Sequence, residues 1–105
     1  DANASLPPMV QENAAYLRQE LNRLGYDTLN SRTQIIPVIV GEAESALEMA
    51  RLLLKEGVLA TAIRPPTVVV DTCRVRVSVM ASHTRQDLDF ALAAFGKVGR
   101  ILGIV

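Results

Sequence analysis

The fold is decided by residues 72–80, which read TCRVRVSVM. Apolar and other side chains alternate along this stretch, and successive side chains of a β-strand point to opposite faces of a sheet. One face carries small apolar side chains: Cys73, Val75, Val77 and Val79. The opposite face carries Arg74, Arg76, Ser78 and Met80. The pattern therefore predicts a strand with one face in the core and two arginines on the other face.

On both sides of this strand the chain alternates between helical and extended patterns. Apolar residues recur every three or four positions over residues 8–24, over 41–57 and from Thr84 to the C-terminus, which predicts three helices. Stretches rich in β-branched residues over 33–40 and 58–63 predict two more strands. The order α-β-α-β-β-α indicates an α+β domain, with a small, mostly antiparallel sheet covered by helices on one face.

Details of two of these elements sharpen the prediction. Pro37 lies inside the strand predicted at 33–40 and cannot donate a hydrogen bond to a neighbour, so it places this strand at a sheet edge or a bulge. Apolar residues on both faces of the same stretch predict a strand that is covered on both sides. For the second helix, the predicted apolar stripe consists of Leu47, Ala50, Leu53 and Leu54.

Composition limits the classes of function. The 105 residues are 50% hydrophobic, which predicts a single domain with a true core. Eleven Lys and Arg balance eleven Asp and Glu, so the chain lacks the surplus positive charge of a nucleic-acid binder or a polybasic membrane patch. No apolar run approaches the roughly 20 residues of a membrane span, and the N-terminus lacks the features of a signal peptide. We therefore expect a cytoplasmic protein.

Few residues suggest catalysis. Cys73 points to the apolar face and cannot form a disulfide or build a metal site with His83, because each is the only residue of its type. His83 stands beside a helix start without a matching nucleophile at recognisable spacing, and Lys55 and Lys97 have polar neighbours on helices. We therefore assign no catalytic or metal-binding residue.

The strand arginines suggest anion binding instead. A guanidinium is permanently charged, and its planar fork matches a carboxylate through two hydrogen bonds. The alternative is that Arg74 and Arg76 pair only with carboxylates of neighbouring helices, as exposed charges usually do. From the residues alone, the chain is an α+β domain with a candidate anion site.

Four stretches together resemble the α-oxoamine synthases, which are pyridoxal-phosphate (PLP) enzymes of aminotransferase fold type I. Residues 62–68 read AIRPPTV and residues 72–77 read TCRVRV, similar to the family pattern A-I-R-P-P-T-V-P-x-G-T-x-R-L-R. Residues 81–84, ASHT, resemble the A-x-H-T that follows. Upstream, TQIIPV at 33–38 with Gly41 resembles x-I-I-P-V-x-x-G.

The resemblance covers nearly the whole chain and identifies residues 1–105 as the C-terminal small domain of a larger enzyme. It implies a reaction in which an amino acid condenses with an acyl-CoA, with loss of CO2, to give an aminoketone and CoA. It also implies that PLP is bound by a large domain absent here, that this segment has no catalytic or cofactor-binding residue and is inactive alone, and that the enzyme is a homodimer.

The same resemblance implies roles for individual residues. The second arginine of R-L-R binds the carboxylate of the amino-acid substrate and corresponds to Arg76. Arg64 and Thr67 belong to a loop near the substrate entrance and are implied to be further substrate contacts, whereas Arg74 is structural. The family's proline and glycine before this strand are replaced by Val69 or Val70 and by Asp71, which changes the turn.

The resemblance does not select one family member. The loop after Arg64 and the C-terminal tail together favour a serine palmitoyltransferase-like enzyme, and an 8-amino-7-oxononanoate synthase is the alternative. A stand-alone binding or regulatory module of the same topology and a structural dimerisation domain also remain open.

Overall fold

The protein is described by a computed structural model at residues 7–29, 33–64, 72–79 and 83–105. The elements in chain order are α1 (Pro8–Leu24), β1 (Ile35–Gly41), α2 (Ala43–Lys55), β2 (Thr61–Ile63), β3 (Cys73–Ser78) and α3 (Arg85–Leu102). The predicted order α-β-α-β-β-α is confirmed. The second strand is shorter than predicted, since only its last three residues pair with a neighbour.

The sheet is antiparallel throughout and has the strand order β1-β3-β2. The decisive stretch of sequence therefore forms the central strand, with a neighbour on each side. β1 is an edge strand, as Pro37 requires, and its register against β3 shifts between Ile39 and Gly41.

The core lies between one face of the sheet and the three helices. Cys73, Val75, Val77 and Val79 are all buried, which confirms the predicted inner face of β3. Val75, Val77 and Val79 join one core with residues from every helix. The largest core residues with no exposed surface are Leu21, Ile36, Met49, Leu53 and Phe95. Burying each such side chain contributes about 1.5–3 kcal/mol, and this drives the helices onto a single face.

Two of the finer predictions are wrong. On α2, Leu47 and Leu54 are exposed, and the buried residues are Ala46, Met49 and Leu53. The helix is apolar on more than one side, so its pattern permits two stripes, and packing against the sheet selects one.

The second correction concerns β1. Its outer face is not covered by the described residues: Ile35 is exposed, and Pro37 and Ile39 are half-buried. The outer face of the sheet is therefore open and largely apolar in this part of the chain.

The helix ends follow local chemistry. Gly25 ends α1 in the left-handed conformation (φ 111°), and its N–H bonds the carbonyls of Asn22 and Leu21. At the start of α3, the Thr84 hydroxyl accepts from the Asp87 N–H while the Asp87 carboxylate accepts from the Thr84 N–H, so the two residues form a reciprocal capping pair. Among the described residues no helix is long and apolar enough to cross a membrane.

Candidate functional site

The candidate site is built around Arg76, at the middle of the open face of the sheet. Its strand neighbours Val75 and Val77 are buried, so the strand is anchored from below while the Arg76 side chain is exposed above. The register places Pro37 of β1 opposite Arg76 on one side and Thr61 of β2 opposite it on the other. Within the described residues, Arg76 forms no ion pair, so its charge is available to an anion from outside this segment.

Arg74 lies on the same face but is used differently. Its Nε and Nη2 both donate to the carbonyl of Thr72, at 3.1 and 2.9 Å. The guanidinium therefore folds back on its own strand, as a structural residue would. The alternative that both strand arginines pair with helix carboxylates is not observed in the described ranges, where the ion pairs join Arg23 to Glu20, Arg51 to Glu48 and Lys97 to Glu56.

Arg76 also borders a cleft of about 620 Å³ between the β2 side of β3 and the start of α3. The cleft exists because β2 pairs with β3 only as far as Thr61, so the chain before Thr61 diverges from the end of β3. Its polar lining consists of Thr61, Arg76, Ser78, His83 and Asp87. Its apolar lining includes Leu59 and Phe90, which are 77% and 57% exposed.

The far wall of the cleft is fixed by α1. The Asn13 Nδ2 donates to the carbonyl of His83 at 2.9 Å, and the Tyr16 hydroxyl bonds the Asp89 carboxylate. The Arg85 guanidinium lies 3.6 Å from the centre of the Tyr16 ring. These contacts hold the first turns of α3 against α1.

The Asp87 carboxylate in the cleft wall already accepts a hydrogen bond from the Thr84 N–H. The Thr84 backbone N–H, and then the Thr84 hydroxyl, lower the pKa of the Asp87 carboxyl below its ordinary value. The carboxylate is consequently engaged at the helix start, which makes it a capping group in the cleft wall.

Of the two other predicted substrate contacts, only Arg64 lies in the described residues, and it is not brought into this cleft. Arg64 is exposed directly after β2 and does not line the cleft. Thr67 lies outside the described residues, as do the Val69–Asp71 positions where the sequence departs from the family pattern. Sequence reasoning also missed Thr61, whose place opposite Arg76 depends on the register of two strands.

The described residues do not fit a PLP site. The chain's two lysines, Lys55 and Lys97, lie on α2 and α3, outside the cleft, and Lys97 Nζ contacts the Glu56 carboxylate at 3.1 Å. An amine able to hold the cofactor is therefore not found at the candidate site. In the same described residues, no group of His, Cys, Asp and Glu is arranged to hold a metal ion.

Comparison with known proteins agrees with this fold. Residues 7–95 match the model of the family "Aminotransferase class I and II". The chain belongs to this family. It is 50% identical over 96 residues to the 8-amino-7-oxononanoate synthase of Geobacter sulfurreducens, covering 91% of this chain and 25% of that protein.

The chain is also similar to two further proteins of known name. The 8-amino-7-oxononanoate synthase/2-amino-3-ketobutyrate coenzyme A ligase of Thermus thermophilus is 54% identical over 94 residues, covering 90% of this chain and 24% of that protein. A serine palmitoyltransferase variant from S. paucimobilis, solved with a bound PLP–myriocin aldimine, superposes with a TM-score of 0.85 at 27% identity. That match covers 92% of this chain and 25% of the other.

These relatives are α-oxoamine synthases, so the resemblance found in the sequence is confirmed. The chain spans about a quarter of the length of the relatives it matches.

Proposed function

We propose that this chain is the small, substrate-binding domain of a PLP-dependent α-oxoamine synthase, and that Arg76 binds the carboxylate of the amino-acid substrate. The observation that carries the proposal is the position of Arg76: exposed, at the middle of an open sheet face and without an ion pair in the described residues. The match to a quarter of much longer enzymes supports a partnership with a large domain that binds PLP.

The chemistry of Arg76 suits this role. Two parallel N–H···O bonds fix the plane of a carboxylate as well as its position. Because Val75 and Val77 hold the strand in the core, little freedom remains in the backbone that carries the guanidinium. Such a contact orients the amino acid relative to the reacting groups, which lowers the entropic part of the barrier.

Arg64 and Thr67 complete the proposal as secondary contacts. Arg64 is exposed directly after Ile63, the last residue of β2, which pairs with Arg74 of β3. We propose that it adds a second positive charge near the carboxylate. A homodimeric, cytoplasmic enzyme is part of the same proposal.

Sequence identity favours an 8-amino-7-oxononanoate synthase over the serine palmitoyltransferase that loop and tail suggest. Identity is 50% to a relative with the first name, 54% to a relative whose name adds 2-amino-3-ketobutyrate coenzyme A ligase, and 27% to the serine palmitoyltransferase. The name 8-amino-7-oxononanoate implies the precursors of this product. After loss of CO2, carbons 8 and 9 and the amino group come from alanine. Carbons 1–7 come from a seven-carbon acyl group ending in a carboxylate. The serine palmitoyltransferase reading is the second candidate, supported by the TM-score of 0.85.

The test uses the intact enzyme that carries this chain, with PLP bound. Arg76→Ala removes two charge-assisted hydrogen bonds worth about 1.5–3 kcal/mol each, so the dissociation constant for the amino acid should rise at least about 100-fold. Binding is read from the change in cofactor absorption on titration with alanine or serine. Arg74→Ala is the matched control on the same strand, and it should bind the amino acid as the wild type does.

Two results decide the proposal. Unchanged amino-acid affinity in Arg76→Ala contradicts the role of Arg76. Turnover of alanine with a seven-carbon dicarboxylic acyl-CoA supports the first candidate, whereas turnover of serine with palmitoyl-CoA selects the second.

A further inference from the structure

We infer that Thr61 is a second donor to the substrate carboxylate, alongside Arg76. This inference rests on the proposed function and names a residue of the same site. Thr61 and Arg76 are paired across β2 and β3, and both are exposed. Both also line the same cleft.

The register brings the two side chains to one carboxylate. Directly opposed residues of an antiparallel pair share a face, and their Cβ atoms lie about 4.5–5.5 Å apart. The other neighbour of Arg76 across the sheet is Pro37, which has no side-chain donor. The hydroxyl directly opposite the guanidinium is therefore that of Thr61.

A carboxylate has room for both donors. Its two oxygens offer about four lone-pair sites, and the arginine fork uses two of them. The Thr61 Oγ1–H is a donor that can fill a third site at the oxygen nearer β2. Thr61 is the first residue of β2, and it lines the cleft together with the exposed Leu59.

The decisive variants are Thr61→Val and Thr61→Ser in the intact, PLP-loaded enzyme. Valine keeps the branched shape and strand preference of threonine and removes only the hydroxyl. One lost hydrogen bond to a charged group should raise the dissociation constant for the amino acid about tenfold. Thr61→Ser keeps the donor and should restore most of the affinity.

A substrate lacking the carboxylate separates binding from structure. The amine that corresponds to the amino acid without its carboxylate is titrated against wild type and Thr61→Val. Its affinity should be the same for both, because the missing group is the one that Thr61 contacts. Equal weakening of the amine and the amino acid would overturn the inference, since it would mean a general distortion of the site.

The outcome for Arg76 separates this inference from the proposed function. If Arg76→Ala weakens amino-acid binding and Thr61→Val does not, the inference fails and the proposed function stands. If neither variant weakens binding, both fail. The inference predicts that Thr61→Val raises the dissociation constant for the amino acid when Arg76 is present. The rise should be smaller in an Arg76→Ala background, because the two donors share one carboxylate.

Discussion

Tyr26 and Phe95 are joined by both a hydrogen bond and an aromatic contact. The Tyr26 hydroxyl donates to the backbone carbonyl of Phe95 at 2.6 Å, and the two rings meet edge to face with centroids 5.7 Å apart. Tyr26 directly follows the glycine that ends α1, and Phe95 lies in the middle of α3. Both residues are buried, so this pair fastens the end of α1 to α3 within the core.

Tyr26→Phe should lower the free energy of unfolding by about 1 kcal/mol. The substitution keeps the ring contact and removes one buried hydrogen bond, whose net contribution is about 0.5–1.5 kcal/mol. Urea denaturation followed by circular dichroism measures the difference. Tyr16→Phe, which removes a hydroxyl bonded to Asp89 at an exposed position, should have a smaller effect. An equal loss of unfolding free energy in the two variants would show that the buried hydrogen bond of Tyr26 stabilises the fold no more than the exposed one of Tyr16.

The same tyrosine should make the fold sensitive to alkali. Burial raises the pKa of Tyr26 to about 12, from an ordinary value of 10.0, although the charge of Arg100 opposes the shift. The folded state therefore keeps the proton after the unfolded state has lost it. Stabilisation is complete below about pH 10 and should be lost at about 1.4 kcal/mol per pH unit as the pH rises toward 12.

The control for this pH dependence is Tyr26→Phe, which has no proton to lose at this position. Unfolding free energies of the two proteins are compared from pH 8 to pH 12. Wild type is the more stable protein below pH 10, and its advantage should shrink above pH 10 and reverse before pH 12, because the loss over this range exceeds the contribution of the hydrogen bond. A difference that stays constant with pH would disprove the assignment.

Gly99→Ala should destabilise the fold by about 1–3 kcal/mol through overpacking. A Cβ at Gly99 would overlap the Tyr26 hydroxyl and lie 2.6 Å from a methyl group of Val105. Gly96→Ala, one turn earlier in α3, is the matched control. Its Cβ would find its nearest neighbour, the Arg100 Nη1, at 3.5 Å, so helix preference should leave this variant equal to or more stable than wild type by up to about 1 kcal/mol. Thermal unfolding of both variants and of wild type measures these differences. A Gly99→Ala variant as stable as wild type would refute the packing argument.

Much of the fold follows from local pattern. The alternation around Val75 and the capping pair Thr84–Asp87 each involve neighbours in sequence, so the sequence alone predicts them. The predicted α2 stripe is wrong because Leu47 and Met49 are both apolar, and the sheet and α3 that pack on α2 are distant in the chain; this packing leaves Met49 buried and Leu47 exposed.

The site was predictable only in part. Arg76 stands out because its neighbours alternate, and resemblance then supplies a role for it. Thr61 has no such signal, since its importance arises from register with a strand 12 or more residues away in the chain. Pro37 predicts an edge strand from the sequence alone. Its position opposite Arg76 is not predictable in this way, because it too depends on the register of two strands.

Thr84→Ala should lower the free energy of unfolding by about 1 kcal/mol, because it removes the hydroxyl that caps the Asp87 N–H at the start of α3. Asp87→Asn tests the other half of the pair. The depressed pKa of Asp87 means that its stabilising effect is complete above the ordinary value of 3.8 and is lost as the pH falls through the lower, folded-state pKa. Wild type should therefore lose stability on acidification relative to Asp87→Asn. Parallel stability curves for the two proteins between pH 5 and pH 2 would contradict this account, because the carboxylate would then contribute equally in the folded and unfolded states.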